Sequence, residues 1–390
     1  MSGGILWVSD PHTGLTSHDG PTLDGSPSWR KVEAERVARA VAEYAKENNC
    51  TVVCLGDFFD SRRPPAWAYA VERMYPKGSY CLRGNHDTYE SIERVSPGEV
   101  MQSFQAIARP ASLTVGGFNI IALPWFGRSM LASDGSLSAA EQYKMMEDYV
   151  ADIISQRVAK AKAESDAKII VVAHMMVAGA QYNSGTQPML GQSSEFMVPA
   201  QVLAQPGVDA VFLGHVHKPQ TFLAGNVPIT YVGSAIRNGF GDEDNVCRAI
   251  HLNPLEFYGG GKDVLVEYVP LPATEFVTIP VEMGVDMDER TSSYPVEGKV
   301  VRFKGNLPAG AETARLLANM RQDCVERGAL RVAKPAITFT RHTVAREHTF
   351  TADNSPEETL ARYFDLAGGD YAERKDELLT AHAALGSDEE

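Results

Sequence analysis

Long apolar runs are missing from this 390-residue chain: none reaches the ~18 residues that a membrane-spanning helix needs. Met1 to Asp10 has neither a basic segment nor a long apolar core, so no secretion signal is expected either. Cysteine is scarce, with Cys50, Cys54, Cys81, Cys247 and Cys324 odd in number and scattered. That spacing excludes a disulfide framework and gives no thiolate cluster; the cysteines read as small buried hydrophobes in a reducing, cytoplasmic setting. Basic residues are outnumbered, 36 Lys and Arg against 50 Asp and Glu, for a net charge of −14. The chain as a whole is no polycation, so any attraction for nucleic acid must be local. No internal repeat or low-complexity tract is present, and the length suits two or three domains around a large core.

Against these absences stands one recurring pattern. Val208 to Gln220 reads VDAVFLGHVHKPQ, an apolar strand that ends on Gly214 and then His215 and His217. Period two places both imidazoles on one face, and a glycine before them lets the backbone approach a common object closely. Alone, two such histidines are more often loop polars than ligands. Other apolar runs end the same way: Ile5 to Val8 on Asp10-Pro11-His12, and Thr51 to Leu55 on Gly56-Asp57-Phe58-Phe59-Asp60. Ser79 to Leu82 ends on Arg83-Gly84-Asn85-His86-Asp87, and Lys168 to Ala173 on His174. Helical patterns separate the runs, which makes them strands of βαβ units with their carboxyl ends on one side, where such sheets place active sites.

The ordered set D-x-H, G-D-x-x-D, G-N-H-D, H and G-H-x-H resembles the calcineurin-like metallophosphoesterases. Gly56 to Asp60, the following Pro64-Pro65, and a chain continuing well past His217 are most similar to SbcD-type DNA repair nucleases. The resemblance implies an α/β fold: a four-layer α-β-β-α sandwich over 1–273, a small α+β capping domain over 274–350, and a helical tail over 351–390. It further implies a metal-dependent DNA exonuclease or endonuclease acting as a homodimer with an SbcC-like, SMC-type ATPase in repair or recombination. A small-molecule phosphatase or cyclic nucleotide phosphodiesterase on the same core is the alternative. A catalytically inactive DNA-binding scaffold is a third reading, against which the complete ligand set argues.

Asp10, His12, Asp57, Asn85, His174, His215 and His217 offer oxygen and imidazole donors without thiolate, a set suited to manganese, iron or zinc. The resemblance implies two divalent ions, manganese foremost, that share Asp57. Asp10, His12 and His217 then belong to one ion, and Asn85, His174 and His215 to the other. His86, beside Asn85, is the expected proton donor to the leaving oxygen, with Asp60 either orienting it or capping its loop. Arg83 either holds a phosphate oxygen or pairs with Asp87, itself expected to stabilise the loop. Gly233-Ser234 is either a loop near the second ion or a plain turn. His18, His251, His342 and His348 are expected to lie outside the chemistry.

Elsewhere, Leu15 to Pro27 and Gly179 to Ser194 are Gly-rich and polar and read as loops. Ser28 caps a helix expected to bury Val32, Val37, Val41 and Tyr44, and Ala139 to Ala163 is a long amphipathic helix. Thr274 to Pro280 reads as a linker strand. From Lys299 to Phe350 ten bases face four acids, a local net of +6. Arg327, Arg331 and Lys334 are the expected DNA contacts there. Ser355-Pro356-Glu357-Glu358 opens an acidic tail of two short helices, broken at Gly368-Gly369. Its Leu360, Tyr363 and Phe364 are expected to dock on a partner.

Overall fold

A computed structural model describes residues 4–18, 20, 28–87, 96–127, 137–182, 196–253, 266–282, 291–340, 355–367 and 373–385. Most of the Leu15–Pro27 and Gly179–Ser194 loops lies outside these residues, and so does the start of a strand that the apolar alternation of Val264 to Leu271 leads one to expect. His342, His348 and Gly368-Gly369 lie wholly outside them.

The chain opens with β1 (Ile5–Val8), α1 (Trp29–Glu47), β2 (Thr51–Cys54), α2 (Ala66–Glu72) and β3 (Ser79–Leu82). Next come β4 (Phe104–Ile107), β5 (Ala111–Val115), β6 (Phe118–Leu123), α3 (Ala139–Glu164), β7 (Ile169–His174), the short β8 (Met176–Val177) and β9 (Met197–Val198), and α4 (Ala200–Leu203). After these follow β10 (Ala210–Gly214), β11 (Gln220–Ala224), β12 (Val227–Tyr231), β13 (Arg248–Leu252) and β14 (Glu267–Pro270). Twelve of these strands form two six-stranded sheets, ordered β14-β13-β1-β2-β3-β4 and β11-β12-β10-β7-β6-β5, while β8 pairs with β9.

Strand period and burial on both faces explain the layering. Along β1, Ile5 and Trp7 join Val53, Phe118, Val172 and Phe212 in the core between the sheets. Leu6 and Val8 point the other way, onto Val37 and Val41 of α1 and Val71 of α2. On the far sheet, Ile121, Val171 and Val211 face Met146, Val150 and Ile154 of α3. Helix, sheet, sheet and helix are therefore stacked in that order, the sandwich expected from the resemblance. Such doubly covered strands read as continuous apolar runs because both faces are dry.

Val32 corrects one detail. It is 50% exposed, and α1 instead buries Trp29, Glu33, Val37, Val41 and Ala45. The rows of a helix run four apart, and Val32 stands five before Val37, so the two cannot share a face.

A smaller sheet follows, with β15 (Phe276–Val281) parallel to β16 (Val300–Pro308), then β17 (Arg331–Val332); β18 (Ala336–Thr340) also pairs with β16. Helix α5 (Ala311–Glu326) covers it, and Ile279, Val301, Phe303, Met320 and Cys324 form a separate core. The expected linker strand is thus an integral strand of this sheet. By contacts the chain divides into two units, Met1–Thr338 and Phe339–Glu390. The second holds α6 (Pro356–Ala367) and α7 (Lys375–Leu385). Ser355 caps α6 reciprocally, its hydroxyl accepting from Glu358 N at 3.1 Å while Ser355 N donates to the Glu358 carboxylate at 3.0 Å. Phe364 is buried and Tyr363 is 53% exposed.

Candidate metal centre

β1, β2 and β3 run parallel, as do β7 and β10, so their carboxyl ends deliver side chains to one edge of the sandwich. Pairing continues past the strands: Asp10 N donates to Gly56 O at 3.2 Å and His12 N to Asp57 O at 3.1 Å. This lashes the first two motifs together. Asp10, His12, Asp57 and His215 all carry left-handed backbone, with φ of 48, 42, 48 and 83°. Non-glycine residues rarely adopt that conformation, and such strain concentrates where geometry is needed for function. At Gly214 a Cβ would run into Leu55 O and the Ser9 hydroxyl, which is why a glycine precedes His215.

All the expected ligands come together, in two adjoining groups. Donor atoms of Asp10, His12 and His217 lie within 4.8 Å of one another, and so do those of Asp57, His174 and His215. Asn85 Oδ1 joins the second group, 3.1 Å from His174 Nε2 and 3.2 Å from His215 Nδ1. Asp10 is fixed by the Ser9 hydroxyl and by His215 N, which approaches its carboxylate at 3.0 Å.

The hydrogen bonds reveal what the groups are built to hold. His174 Nδ1 lies 2.7 Å from Leu55 O, and a carbonyl only accepts, so Nδ1 carries a proton. In the neutral ring, Nε2 then presents a lone pair to Asn85 Oδ1 and to Asp57 Oδ2 at 3.3 Å. Likewise His12 Nδ1 faces the Asp60 carboxylate at 3.2 Å and His217 Nδ1 faces Asp242 at 3.2 Å, which leaves their Nε2 atoms opposed at 3.1 Å. Acceptors converging without donors between them are the signature of a cation site. Oxygen and imidazole donors fit divalent manganese, iron or zinc.

Electrostatics agree. Burial opposes charge on Asp57, yet His174, His86 and His12 hold its carboxyl far below the usual range. Burial also opposes charge on His174, but Asp57 outweighs it and lifts the imidazole to about 10. His12 is lowered, chiefly by burial. Without a cation, the Asp57 charge recruits a proton to His174, and metal and proton compete for the same lone pair.

His86 stands at the rim, in an open cleft lined by Asp60, Ser61, Arg62, Arg63 and Asn85. Its N–H donates to Asp57 Oδ1 at 2.9 Å, and its Nδ1 donates to the backbone carbonyl of Asp60 at 2.7 Å. Asp60 therefore touches His86 through its main chain, while its carboxylate lies on His12. Burial lowers the His86 pKa, but Asp57 and the Asp60 carbonyl outweigh it and raise it. Asp87 accepts from Phe58 N, Phe59 N and Gly84 N, a loop-holding role. Arg83 is half-buried; burial lowers its pKa, with the Glu99 and Arg109 charges pulling in opposite directions.

Among the basic residues, Arg327 is engaged locally: its guanidinium donates to the carbonyls of Thr291, Ser292 and Tyr294 and pairs with Asp323 at 3.0 Å. These bonds hold a turn. Lys334 is exposed. The charges of Arg30, Arg302 and Arg331 all reach His18, whose pKa burial lowers first and they lower further. Asp242 was not legible in the sequence. It lies 25 residues after His217, in a polar turn with no periodic signal, and is recognised only by its contact with that ring. His251 stands apart, among Tyr44, Cys50 and Glu267.

Compared with known proteins, residues 4–219 match the calcineurin-like phosphoesterase family, a stretch that begins at β1 and includes every residue of both groups. The chain is a calcineurin-like phosphoesterase. Beyond the family, this phosphoesterase is 24% identical over 251 residues to the SbcD component of the nuclease SbcCD from Bacillus subtilis (strain 168). That match covers 58% of the chain and 61% of the relative, less than two thirds of its length. A solved structure, phosphopantetheinyl hydrolase (PptH) from Mycobacterium tuberculosis, aligns with a TM-score of 0.31 and 13% identity over 68% of this chain and 95% of that one. No helix of the described residues is long and apolar enough to cross a membrane.

Proposed function

We propose that this phosphoesterase is a metal-dependent DNA nuclease that works with an SbcC-like ATPase in repair or recombination. The observation that carries the DNA reading is the convergence of Arg302 and Arg331, from β16 and β17, on His18, which follows His12 in the loop leaving the site. Within a chain of −14 these guanidiniums put local positive charge on the loop that follows His12. Only charges within a Debye length of about 8 to 10 Å act on a phosphate. On this reading 274–350 is the capping domain and the two-helix tail is the partner surface. The similarity to the SbcD component of the nuclease SbcCD supports the nuclease reading.

The two cations, when bound, supply the positive charge that polarises a phosphodiester and its attacking water. Asp10, His12 and His217 would hold one of them and Asn85, His174 and His215 the other, with Asp57 serving both. His86, held at Nδ1 by the Asp60 carbonyl, offers Nε2–H to the departing oxygen. The decisive experiment offers the purified chain linear duplex DNA, single-stranded DNA and a generic phosphodiester, with and without the ATPase. Chelation is expected to abolish cleavage and manganese to restore it, with magnesium poorer because it favours oxygen over imidazole. Equal turnover in magnesium alone would count against this site, and turnover of the small diester without DNA cleavage would favour a small-molecule phosphodiesterase.

Reversing Arg331 and Lys334 to Glu tests the basic sheet without disturbing the Arg327 turn. DNA affinity is expected to fall, and the slope of log affinity against log salt to flatten by about 1.8, since each phosphate contact contributes about 0.9. An unchanged slope would remove these residues from the DNA surface.

A further inference from the structure

His217 is tied to the small sheet through one short segment, 237–245. At one end of the tie, Asp242, 4% exposed, holds His217 Nδ1 at 3.2 Å. Asn245 Nδ2 donates both to His217 O and to Asp242 Oδ1, each at 3.1 Å, and Asn238 N donates to the other Asp242 oxygen at 3.1 Å. The ring and its main chain are therefore gripped by the same turn.

The next residue faces the other way. Glu243 accepts from Thr278 N and from the Thr278 hydroxyl, both at 2.5 Å, on β15. Phe240 packs edge-on against Phe276 of β15 at 4.9 Å, with the Arg302 guanidinium of β16 over its other face at 4.1 Å. Arg302 in turn donates to the Thr278 hydroxyl at 3.0 Å. Buried Arg30 closes the base of the turn, donating to Arg237 O at 2.8 Å and Asn238 O at 3.1 Å. Three buried polar atoms along this seam, Arg237 Nε, Asn238 Oδ1 and Arg302 Nε, have no hydrogen-bond partner among the described residues. Buried polar groups are normally satisfied, so the seam is less completely closed than the cores on either side of it.

We propose that 237–245 is a positioning strut: the placement of β15 against Glu243 is transmitted through Asp242 to the orientation of His217, and so sets the affinity of the site for one of its two cations. The inference deepens the metal-dependent reading above and rests on it. Neither Asp242 nor Glu243 touches substrate on this account. They act through the imidazole, as outer partners of metal-binding histidines do, where substitutions typically cost roughly 10- to 100-fold in metal affinity.

The test uses the full chain, freed of metal and titrated with manganese by calorimetry and electron paramagnetic resonance, beside its metal-free thermal midpoint. Asp242→Asn and Glu243→Ala are both expected to weaken one of two manganese sites by about tenfold or more while leaving the other unchanged. Glu243→Gln, which keeps an acceptor for Thr278 N, should recover most of that affinity, and Thr278→Val should reproduce part of the loss. A role confined to folding would lower the midpoint and move neither affinity. The strut is overturned if Glu243→Ala and Thr278→Val bind both ions as the parent chain does. A parent chain that takes up no second ion would sink the site reading itself, and the strut with it. If Glu243→Ala fails to fold, Thr278→Val, which removes one hydroxyl, still decides the matter.

Discussion

Replacing His86 with Gln is expected to lower DNA cleavage by roughly 10²- to 10⁴-fold with both manganese ions still bound, the range a positioned proton donor contributes. The ring is held at two points. Its main-chain N–H fastens it to Asp57 at 2.9 Å, and its Nδ1 is occupied by the Asp60 carbonyl at 2.7 Å. Only Nε2 is left to face the cleft lined by Arg62, Arg63 and Asn85. Gln can preserve a hydrogen bond to the carbonyl but has no proton to give up near neutral pH. His215→Gln is the contrasting variant, because His215 Nδ1 meets Asn85 Oδ1 at 3.2 Å within the second donor group. There the loss should appear as weakened uptake of one ion. Elemental analysis with single-turnover kinetics separates the two, and equal metal content in both variants would show the roles to be misassigned.

The residues that declare this site do so because each stands at the end of an apolar run. Asp10, Asp57, Asn85 and His215 follow β1, β2, β3 and β10 within three residues, and His174 is the last residue of β7. Strands buried on both faces leave a strong local pattern, so the sandwich and the donor groups were legible together. The edge strands β4, β5 and β11 were not. β5 and β11 alternate between half-buried and exposed residues, and β4 is buried only at its ends, so none forms a continuous apolar run. The partners that orient the donors were hidden for a different reason. Asp242 reaches His217 across 25 residues, and Arg30 reaches Arg237 across 207, and no local periodicity encodes such distances. Asp60 illustrates a third limit: its proximity to His86 could be anticipated, but whether carboxylate or carbonyl makes the contact depends on the turn. Arg327 is similar, since positive charge in a sequence does not reveal that the guanidinium is engaged by the carbonyls of Thr291, Ser292 and Tyr294.

Gly84→Ala should remove the site's metals and its activity together, whereas Gly78→Ala, just before the start of β3, should do neither. A Cβ at Gly84 would overlap the Asp57 carboxylate and the Asp57 backbone nitrogen. Neither can yield cheaply. The carboxylate accepts from His86 N and faces His174 Nε2, and the main chain there carries the left-handed Asp57 that pairs with His12 N. Forcing a methyl into packing of this kind costs about 1 to 3 kcal/mol. Because the displaced group is the carboxylate that both donor groups adjoin, the damage falls on cation binding as well as on folding. At Gly78 the chain is left-handed at φ +84° with open space around the missing methyl, so alanine meets only backbone strain of about 1 to 2 kcal/mol. Denaturant titration should therefore find the two variants destabilised by comparable amounts. Manganese uptake should fall roughly 10-fold or more in Gly84→Ala alone, as when a metal ligand is displaced from its position. If Gly84→Ala kept both ions and its turnover, the close approach of the chain after β3 to Asp57 would have no part in building the centre.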